Sequence, residues 1–192
     1  MIDPISKFQR WWHAALHDSP LQQKSAVCVS TVDAQGIPDG RFVDLKAADE
    51  RGFVFCTNLD SPKGLAISDN PNVAMTIWWD HMGYQVRIVG QAQAFQDKMA
   101  DQYWHSRHRD AKISTLALQQ SQPVADEQLL WEQVTCFSEK FAEQEIARPV
   151  NWGGYTVVPQ RIEFLTFRES RLHLRELYIK QQQSWHYQLL QP

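Results

Sequence analysis

Val27-Cys28-Val29-Ser30-Thr31-Val32, the turn Asp33-Ala34-Gln35-Gly36, the run Gly40 to Ala47, the turn Asp49-Glu50-Arg51-Gly52 and the run Phe53-Val54-Phe55-Cys56-Thr57 decide the fold. Three short runs rich in β-branched and aromatic residues alternate with tight turns built on Asp and Gly. That pattern belongs to an antiparallel meander or barrel. Downstream the pattern repeats. Val73 to Trp79 and Tyr84 to Phe95 read as a second hairpin around Asp80-His81-Met82-Gly83. In the latter run Val86, Ile88, Ala92 and Ala94 share one face, and Gln85, Arg87, Gln91 and Gln93 share the other. Gly154 to Val158, Arg161 to Phe167, Arg171 to Ile179 and Trp185 to Leu190 read as the closing strands.

Helices surround these strands. Asp3-Pro4 is a helix start, a capping carboxylate followed by proline where its missing N–H is harmless. Ile5, Phe8, Trp12 and Ala15 then form one apolar stripe, ending near Asp18-Ser19-Pro20. Ser61-Pro62 opens a short helix that stops at Asn70-Pro71. Asp97 to His105 and Arg109 to Leu118 read as helices, and Asp126 to Ile146 as a long amphipathic one bearing Leu129, Leu130, Val134, Phe137 and Phe141. The expected architecture is mainly β with α: six or more antiparallel strands in a barrel decorated by helices. It forms a single domain over 1–192, with an N-terminal helix and arm at 1–25 and a helical insertion at 97–146.

The chain has 192 residues and a net charge of −3. That length buries a real core without staples. The charge argues against coating nucleic acid or an anionic membrane, since both need a cationic excess. Cys28, Cys56 and Cys136 are too few and too scattered for a disulfide framework, and no CxxC pair points to zinc. They read as three small buried hydrophobes in a reducing compartment. Met1-Ile2-Asp3-Pro4 lacks the basic and apolar regions of a signal peptide, and no apolar run is long enough for a bilayer. The expectation is a cytoplasmic protein with no membrane or nucleic-acid partner.

Common catalytic signatures are absent: no glycine-rich dinucleotide fingerprint, P-loop, HExxH or GxSxG. His105 and His108 lack carboxylate or cysteine support, so no metal site is expected. What remains is a scatter of cations at element ends. Arg41 and Lys46 bracket a strand, and Lys63 follows Ser61 in the first turn of a helix. Arg107 and Arg109 lie at a helix end, and Arg171 and Arg175 flank His173. Each alone reads as a solvated surface charge. Together they are the means to hold phosphate, through a helix N-terminus and bidentate guanidinium contacts. Arg41 and Lys46 have opposite strand parity, so they serve one ligand only if a bulge or strand end reorients one of them.

The order of these segments resembles the pyridoxine/pyridoxamine 5′-phosphate oxidase family. The resemblance rests on Arg41-Phe42-Val43-Asp44-Leu45-Lys46, Thr57-Asn58-Leu59-Asp60-Ser61-Pro62-Lys63, Gln85-Val86, Tyr103-Trp104-His105-Ser106-Arg107, Gln120-Ser121, Trp152-Gly153-Gly154 and Arg171-Leu172-His173-Leu174-Arg175. It runs from about Ala26 to the C-terminus. It implies an FMN-binding split β-barrel that is homodimeric, with FMN at the subunit interface. The family's FMN-binding positions fall on Arg41, Phe42, Val43, Lys46, Thr57, Ser61, Lys63, Gln85, Gln120, Ser121 and Arg175. Its substrate positions fall on Lys46, Tyr103 and Arg107 for the phosphate, with Arg171 and His173 over the substrate ring as the catalytic pair. The implied reaction takes hydride from substrate C4′ to the flavin N5, and dioxygen then reoxidises the flavin and leaves as hydrogen peroxide.

Departures from the family pattern bear on substrate more than on flavin. Asp44 replaces an aliphatic residue, Cys56 an aromatic, and Pro62 an arginine beside the FMN phosphate. Ala111 stands where a serine hydroxyl meets the substrate phosphate, and Leu165 where a tryptophan lies near the flavin. The N-terminal arm is shortened. The alternatives are an FMN-dependent oxidase or reductase of another small heterocycle, such as a phenazine-type compound, and a non-catalytic flavin- or haem-binding protein.

Overall fold

A computed structural model describes residues 3–18, 20–142 and 144–192. Its elements in chain order are α1 (Pro4–Asp18), β1 (Ala26–Val32), β2 (Pro38–Asp49), β3 (Gly52–Asn58), α2 (Pro62–Asp69), β4 (Asn72–Trp79), β5 (Tyr84–Ala94), α3 (Asp97–His105), α4 (Arg109–Ala117), α5 (Glu127–Phe141), β6 (Trp152–Thr166), β7 (Leu174–Gln181) and β8 (Ser184–Leu190). The strands lie in the order β3-β2-β1-β4-β5-β6-β7-β8, and β3 also pairs with β6. Six antiparallel strands therefore close into a barrel, and the β7–β8 hairpin continues the sheet beyond β6. The expected barrel is present, with closure removing the free edges of its outer strands.

The chain divides into two compact units, one of Met1–Phe55, Ala66–Gln93 and Tyr155–Pro192, the other of Cys56–Leu65 and Ala94–Gly154. The first carries most of the barrel. Alternation along β1 and β4 sends Val27, Val29, Val73, Met75 and Ile77 inward, and Val86 and Ile88 of β5 are fully buried. The α1 stripe supplies Phe8, wholly buried, with its ring edge-on to Phe53 at 4.8 Å and tilted against Trp79 at 6.0 Å. The Asp3 cap forms as read, its carboxylate accepting the Ser6 N–H at 2.8 Å. Gly52, with φ of 137°, abuts the Val157 carbonyl so closely that a Cβ would collide with it. Only glycine allows β3 to meet β6 there.

The second unit packs Trp104, Ile113, Ile146 and Trp152, with Tyr103, Leu116, Val134, Phe137 and Phe141 around them. The Trp104 indole donates to the Ile146 carbonyl at 2.7 Å. Arg148 ties the start of α3 down, donating to Asp101 at 2.6 Å and Asp97 at 2.8 Å. These two carboxylates hold the guanidinium above its usual range. The helical block expected at 97–146 falls wholly within this unit.

Several expectations need correction. The helix expected to reach Ile146 stops at Phe141, because Ala142 takes a φ of 40° and Arg109 donates to the carbonyls of Ala142 and Gln144. Those carbonyls end the helix as a C-cap does, and Ile146 then enters the core from a non-helical segment. The two strands expected either side of Gln160 are one, β6. Pro159 lies within it, two residues before pairing with β7 begins at Arg161. Ala94 and Leu129 are exposed, not buried. No described residue of α5 is buried, since its apolar face only borders the cluster. The three cysteines form no disulfide, but Cys136 is exposed and the other two are half-buried, unlike the three buried hydrophobes expected. No helix among the described residues is long and apolar enough to cross a membrane.

Candidate functional site

In the second unit, β3 ends and α2 begins around one buried cation. The Asn58 carbonyl accepts the Ser61 hydroxyl at 2.7 Å, which fixes the turn. Ser61 Oγ also accepts the Gly64 N–H at 3.4 Å, so serine caps the helix as its sequence position requires. Proline at the first helical position leaves Lys63 in the first turn, pointing inward. Lys63 Nζ donates to Thr57 Oγ1 at 3.0 Å, to Ser61 Oγ at 3.0 Å and to Gln120 Oε1 at 3.3 Å. Thr57, Ser61 and Lys63 are all buried. The structure thus brings four sequence-predicted residues from three segments to one ammonium at a helix N-terminus. A lysine ammonium and two hydroxyls at a helix start are groups that can hold a phosphate. Gly64 keeps the turn tight, since a Cβ there would run into the backbone of Leu59. Ser121, next to Gln120, is held at φ of 67°, a conformation uncommon outside glycine.

A second cation in this unit sits beyond α3. The Arg107 guanidinium lies over the Trp152 ring at 4.9 Å and the Trp104 ring at 5.5 Å. Its Nη1 donates to Thr115 Oγ1 at 3.1 Å, and that hydroxyl donates in turn to the Ala111 carbonyl at 2.8 Å. Burial pulls Arg107 below its ordinary pKa range, with Cys56 acting the other way. It remains cationic at any ordinary pH. Among the described residues no carboxylate lies within ion-pair distance of it. Arg107 also borders a cavity of about 330 Å³ lined by Arg109, Lys112, Gln144, Glu145 and Ile146. Tyr103, one turn earlier, stacks on Phe95 at 5.6 Å between ring centres.

In the first unit the predicted residues meet other partners. Arg41 on β2 donates to Thr31 Oγ1 at 2.8 Å and to the Val29 carbonyl at 3.2 Å, and pairs with Asp39. Phe42 is 74% exposed and Val43 half-buried. The register of β2 on β3 shifts between Leu45 and Ala47, which places a bulge at Lys46. The condition set by the opposite parity of Arg41 and Lys46 is therefore met. Lys46 pairs with Asp44 at 2.6 Å. Gln85 lies opposite Trp78, half-buried.

Arg171 and His173 are not on a strand, contrary to expectation, for β7 starts at Leu174. Arg171 takes a φ of 64° in a turn closed by its N–H on the Arg168 carbonyl at 3.1 Å. The Arg168 N–H donates to His173 Nδ1 at 3.1 Å, so a neutral His173 carries its proton on Nε2. Two of the four non-glycine residues with positive φ among those described, Ser121 and Arg171, are thus sequence-predicted site residues.

Arg175 is engaged on all three of its nitrogens. Its Nε and Nη2 reach Glu163 Oε1 at 2.9 and 2.8 Å, and its Nη1 donates to the Gln191 carbonyl at 3.1 Å. Glu163 Oε2 accepts Arg87 Nη1 at 3.2 Å. Sequence reasoning missed Glu163, Arg87 and Thr115. An acid set in the apolar run Ile162-Glu163-Phe164 was the signal for the first, and a hydroxyl one helical turn from Ala111 was the signal for the last. No cluster of metal-ligating residues occurs among the described residues.

Comparison with known proteins places these features. A family profile described as pyridoxamine 5′-phosphate oxidase matches residues 15–139, and one described as the pyridoxine 5′-phosphate oxidase C-terminal dimerisation region matches residues 152–192. The second match supports a homodimer. The pyridoxine/pyridoxamine 5′-phosphate oxidase of Idiomarina loihiensis is 37% identical over 190 residues, covering 99% of this chain and 90% of that protein. The protein of the same name from Trichormus variabilis is 38% identical over 191 residues, 99% of this chain and 89% of its own length. The crystal structure of PhzG from Burkholderia lata 383, in complex with tetrahydrophenazine-1-carboxylic acid, superposes with a TM-score of 0.93 at 26% identity, over 99% of this chain and 93% of that one. A pyridoxamine 5′-phosphate oxidase-related, FMN-binding protein from Nostoc punctiforme shares the fold, with a TM-score of 0.81 at 16% identity over the whole of both chains.

Proposed function

The chain belongs to the pyridoxamine 5′-phosphate oxidase family, and from that premise we propose that it is a cytoplasmic FMN-dependent oxidase of vitamin B6 metabolism. In this reading it oxidises pyridoxine 5′-phosphate to pyridoxal 5′-phosphate, or pyridoxamine 5′-phosphate to the same aldehyde with water taken up and ammonia released, and in either case dioxygen is reduced to hydrogen peroxide. The observation that carries the substrate class is Arg107. The Arg107 guanidinium is half-buried on two indole faces, and among the described residues it donates to a neutral hydroxyl and has no carboxylate within ion-pair distance. The phosphate of a substrate supplies a counter-ion, and bidentate geometry makes the contact strong.

The residues fit FMN. A buried ammonium flanked by two hydroxyls at the start of α2 suits a terminal phosphate. Thr57, Ser61 and Lys63 would hold that phosphate. Gln85, Gln120 and Ser121 would supply amide and hydroxyl contacts, with Arg41, Phe42, Val43, Lys46 and Arg175 completing the set. Bound there, FMN supplies the two-electron redox chemistry that no side chain of the chain provides. Lys46, Tyr103 and Arg107 bind the substrate phosphate. Arg171 and His173 cover its ring, the neutral His173 presenting an N–H donor at Nε2. In the proposed assembly two chains form the working enzyme, each acting as one FMN-binding domain.

The direct test is peroxide release from FMN-loaded protein. Turnover is expected with pyridoxine 5′-phosphate and not with unphosphorylated pyridoxine. Absence of peroxide at saturating phosphorylated substrate would reject the reading. A second reading, an oxidase of an unphosphorylated heterocycle, draws on two features. Asp44 occupies Lys46 at 2.6 Å, and Ala111 offers the substrate phosphate no hydroxyl. Bleaching of the bound flavin by such heterocycles alone would favour it.

A further inference from the structure

Glu163 has no role in the reading above, yet it is among the most constrained polar side chains of the first unit. It lies on β6 between two fully buried apolar residues, Ile162 and Phe164, with only 8% of its side chain exposed. A carboxylate is not left there without partners, because an unpaired buried charge is severely penalised. Its two oxygens are divided between cations from two other strands. Oε1 takes both Nε and Nη2 of Arg175, and Oε2 takes Nη1 of Arg87. Gln191 closes the arrangement through its backbone carbonyl.

The stereochemistry follows from the strand register. Leu165 stands directly opposite Arg175 and Glu163 opposite Leu177, so Glu163 and Arg175 are diagonal neighbours across the β6–β7 ladder. Arg87 shares its face of β5 with Gln85, since the two are two residues apart. With Nε and one N–H of each terminal nitrogen committed, Arg175 keeps one free N–H on Nη1 and one on Nη2. The carboxylate therefore decides which edge of the guanidinium faces outward.

We propose that Glu163 is a positioning residue for flavin binding. It clamps Arg175, and with it Arg87, so that the free guanidinium edge is already set when FMN arrives. The inference rests on the proposed FMN site. Pre-organised donors bind more tightly than donors that must be ordered on binding. The trio also carries a net charge of about +1 rather than +2, so the clamp lowers the local positive charge while fixing its direction. These two effects oppose each other for an anionic ligand, and that opposition makes the proposal decidable.

The experiment is titration of FMN into apo-protein, followed by quenching of flavin fluorescence, for wild type, Glu163→Gln, Glu163→Asp and Arg175→Met. If positioning governs, Glu163→Gln raises the FMN Kd about tenfold or more. The kcat of FMN-saturated enzyme stays within about twofold, because saturation restores the bound geometry. If charge alone mattered, Glu163→Gln would bind FMN as tightly as wild type or more tightly, and the proposal would be overturned. A purely structural role would lower the melting temperature without moving Kd at low temperature, which also overturns it. Should Glu163→Gln fail to fold, Glu163→Asp decides. It keeps the charge and retreats by one methylene, so a rise in Kd supports positioning and an unchanged Kd refutes it. Arg175→Met separates the layers. An unchanged Kd in that variant removes Arg175 from the flavin site and defeats the underlying reading. A raised Kd there beside an unchanged one in Glu163→Gln defeats this inference alone.

Discussion

Setting a guanidinium against two indole faces strips part of its hydration, and cation–π contact of this kind returns only about 0.5–2 kcal/mol. Arg107 keeps that position because Thr115 holds it, and Ala111 holds Thr115. Such a cation gains most when an anion arrives, since charge-assisted hydrogen bonds contribute about 1.5–3 kcal/mol. Arg107→Ala is therefore expected to raise KM for the phosphorylated substrate by roughly 10- to 100-fold, leaving FMN affinity unchanged. Thr115→Val should raise KM about fivefold, with recovery in Thr115→Ser, whose hydroxyl is retained. Parallel loss of FMN binding and KM in Arg107→Ala would show that this arginine serves the cofactor instead. At this scale the sequence was legible where a side chain carries its own meaning. Ser61, Lys63 and Gln120, each singled out by residue type, come together around one ammonium. Glu163 and Thr115 escaped because their roles exist only through a partner, and partners are set by register and helical turn rather than by residue type.

Elements were legible where periodicity and turn chemistry agree. The runs from Ala26 to Thr57 became β1, β2 and β3 within two or three residues at each end. The α1 stripe and its Asp3 cap also formed as read. The failures lie where tertiary partners overrode local pattern. Arg109 ends α5 five residues before the amphipathic pattern does, and β6 runs on through Pro159 and Gln160 to pair with β7 from Arg161. Arg171 leaves the strand because its backbone turns into the left-handed region, a choice no propensity of arginine announces. The stripe itself yields a stability prediction. Phe8 is fully buried against Phe53 and Trp79, and it is the largest fully buried side chain of α1. Truncation leaves a cavity in a close-packed core, so Phe8→Ala should cost about 3–5 kcal/mol. Chemical denaturation with an unchanged m-value checks it; a loss under about 1 kcal/mol would mean that α1 does not depend on this contact.

At the scale of the whole molecule, composition identified a protein able to bury its own core but could not indicate an assembly. The match of residues 152–192 to a dimerisation region gives the exposed apolar residues of that stretch a partner. Leu172 is 66% and Leu189 60% exposed, on the segment that contains β7 and β8. A second copy packed on this region would cover them. Because the family reading places FMN between subunits, cofactor binding and dimerisation must be linked, each strengthening the other by the same free energy. FMN at about 100 times its Kd should stabilise the protein by about 2.7 kcal/mol. For a chain of this length that corresponds to a rise of roughly 5–10 °C in Tm. The linkage is tested by Leu189→Arg, which puts a charge on the β8 face without touching any proposed FMN contact. Light scattering should show this variant shifting toward the monomer on dilution. Its FMN Kd, measured at the same dilution, should rise at least about tenfold while wild-type dimer is unaffected. Raising the variant's protein concentration should restore both together, since mass action repopulates the dimer. A monomer that binds FMN as tightly as the dimer would place the whole cofactor site within one chain, and Arg41, Lys63 and Arg175 would then have to meet without a partner's help.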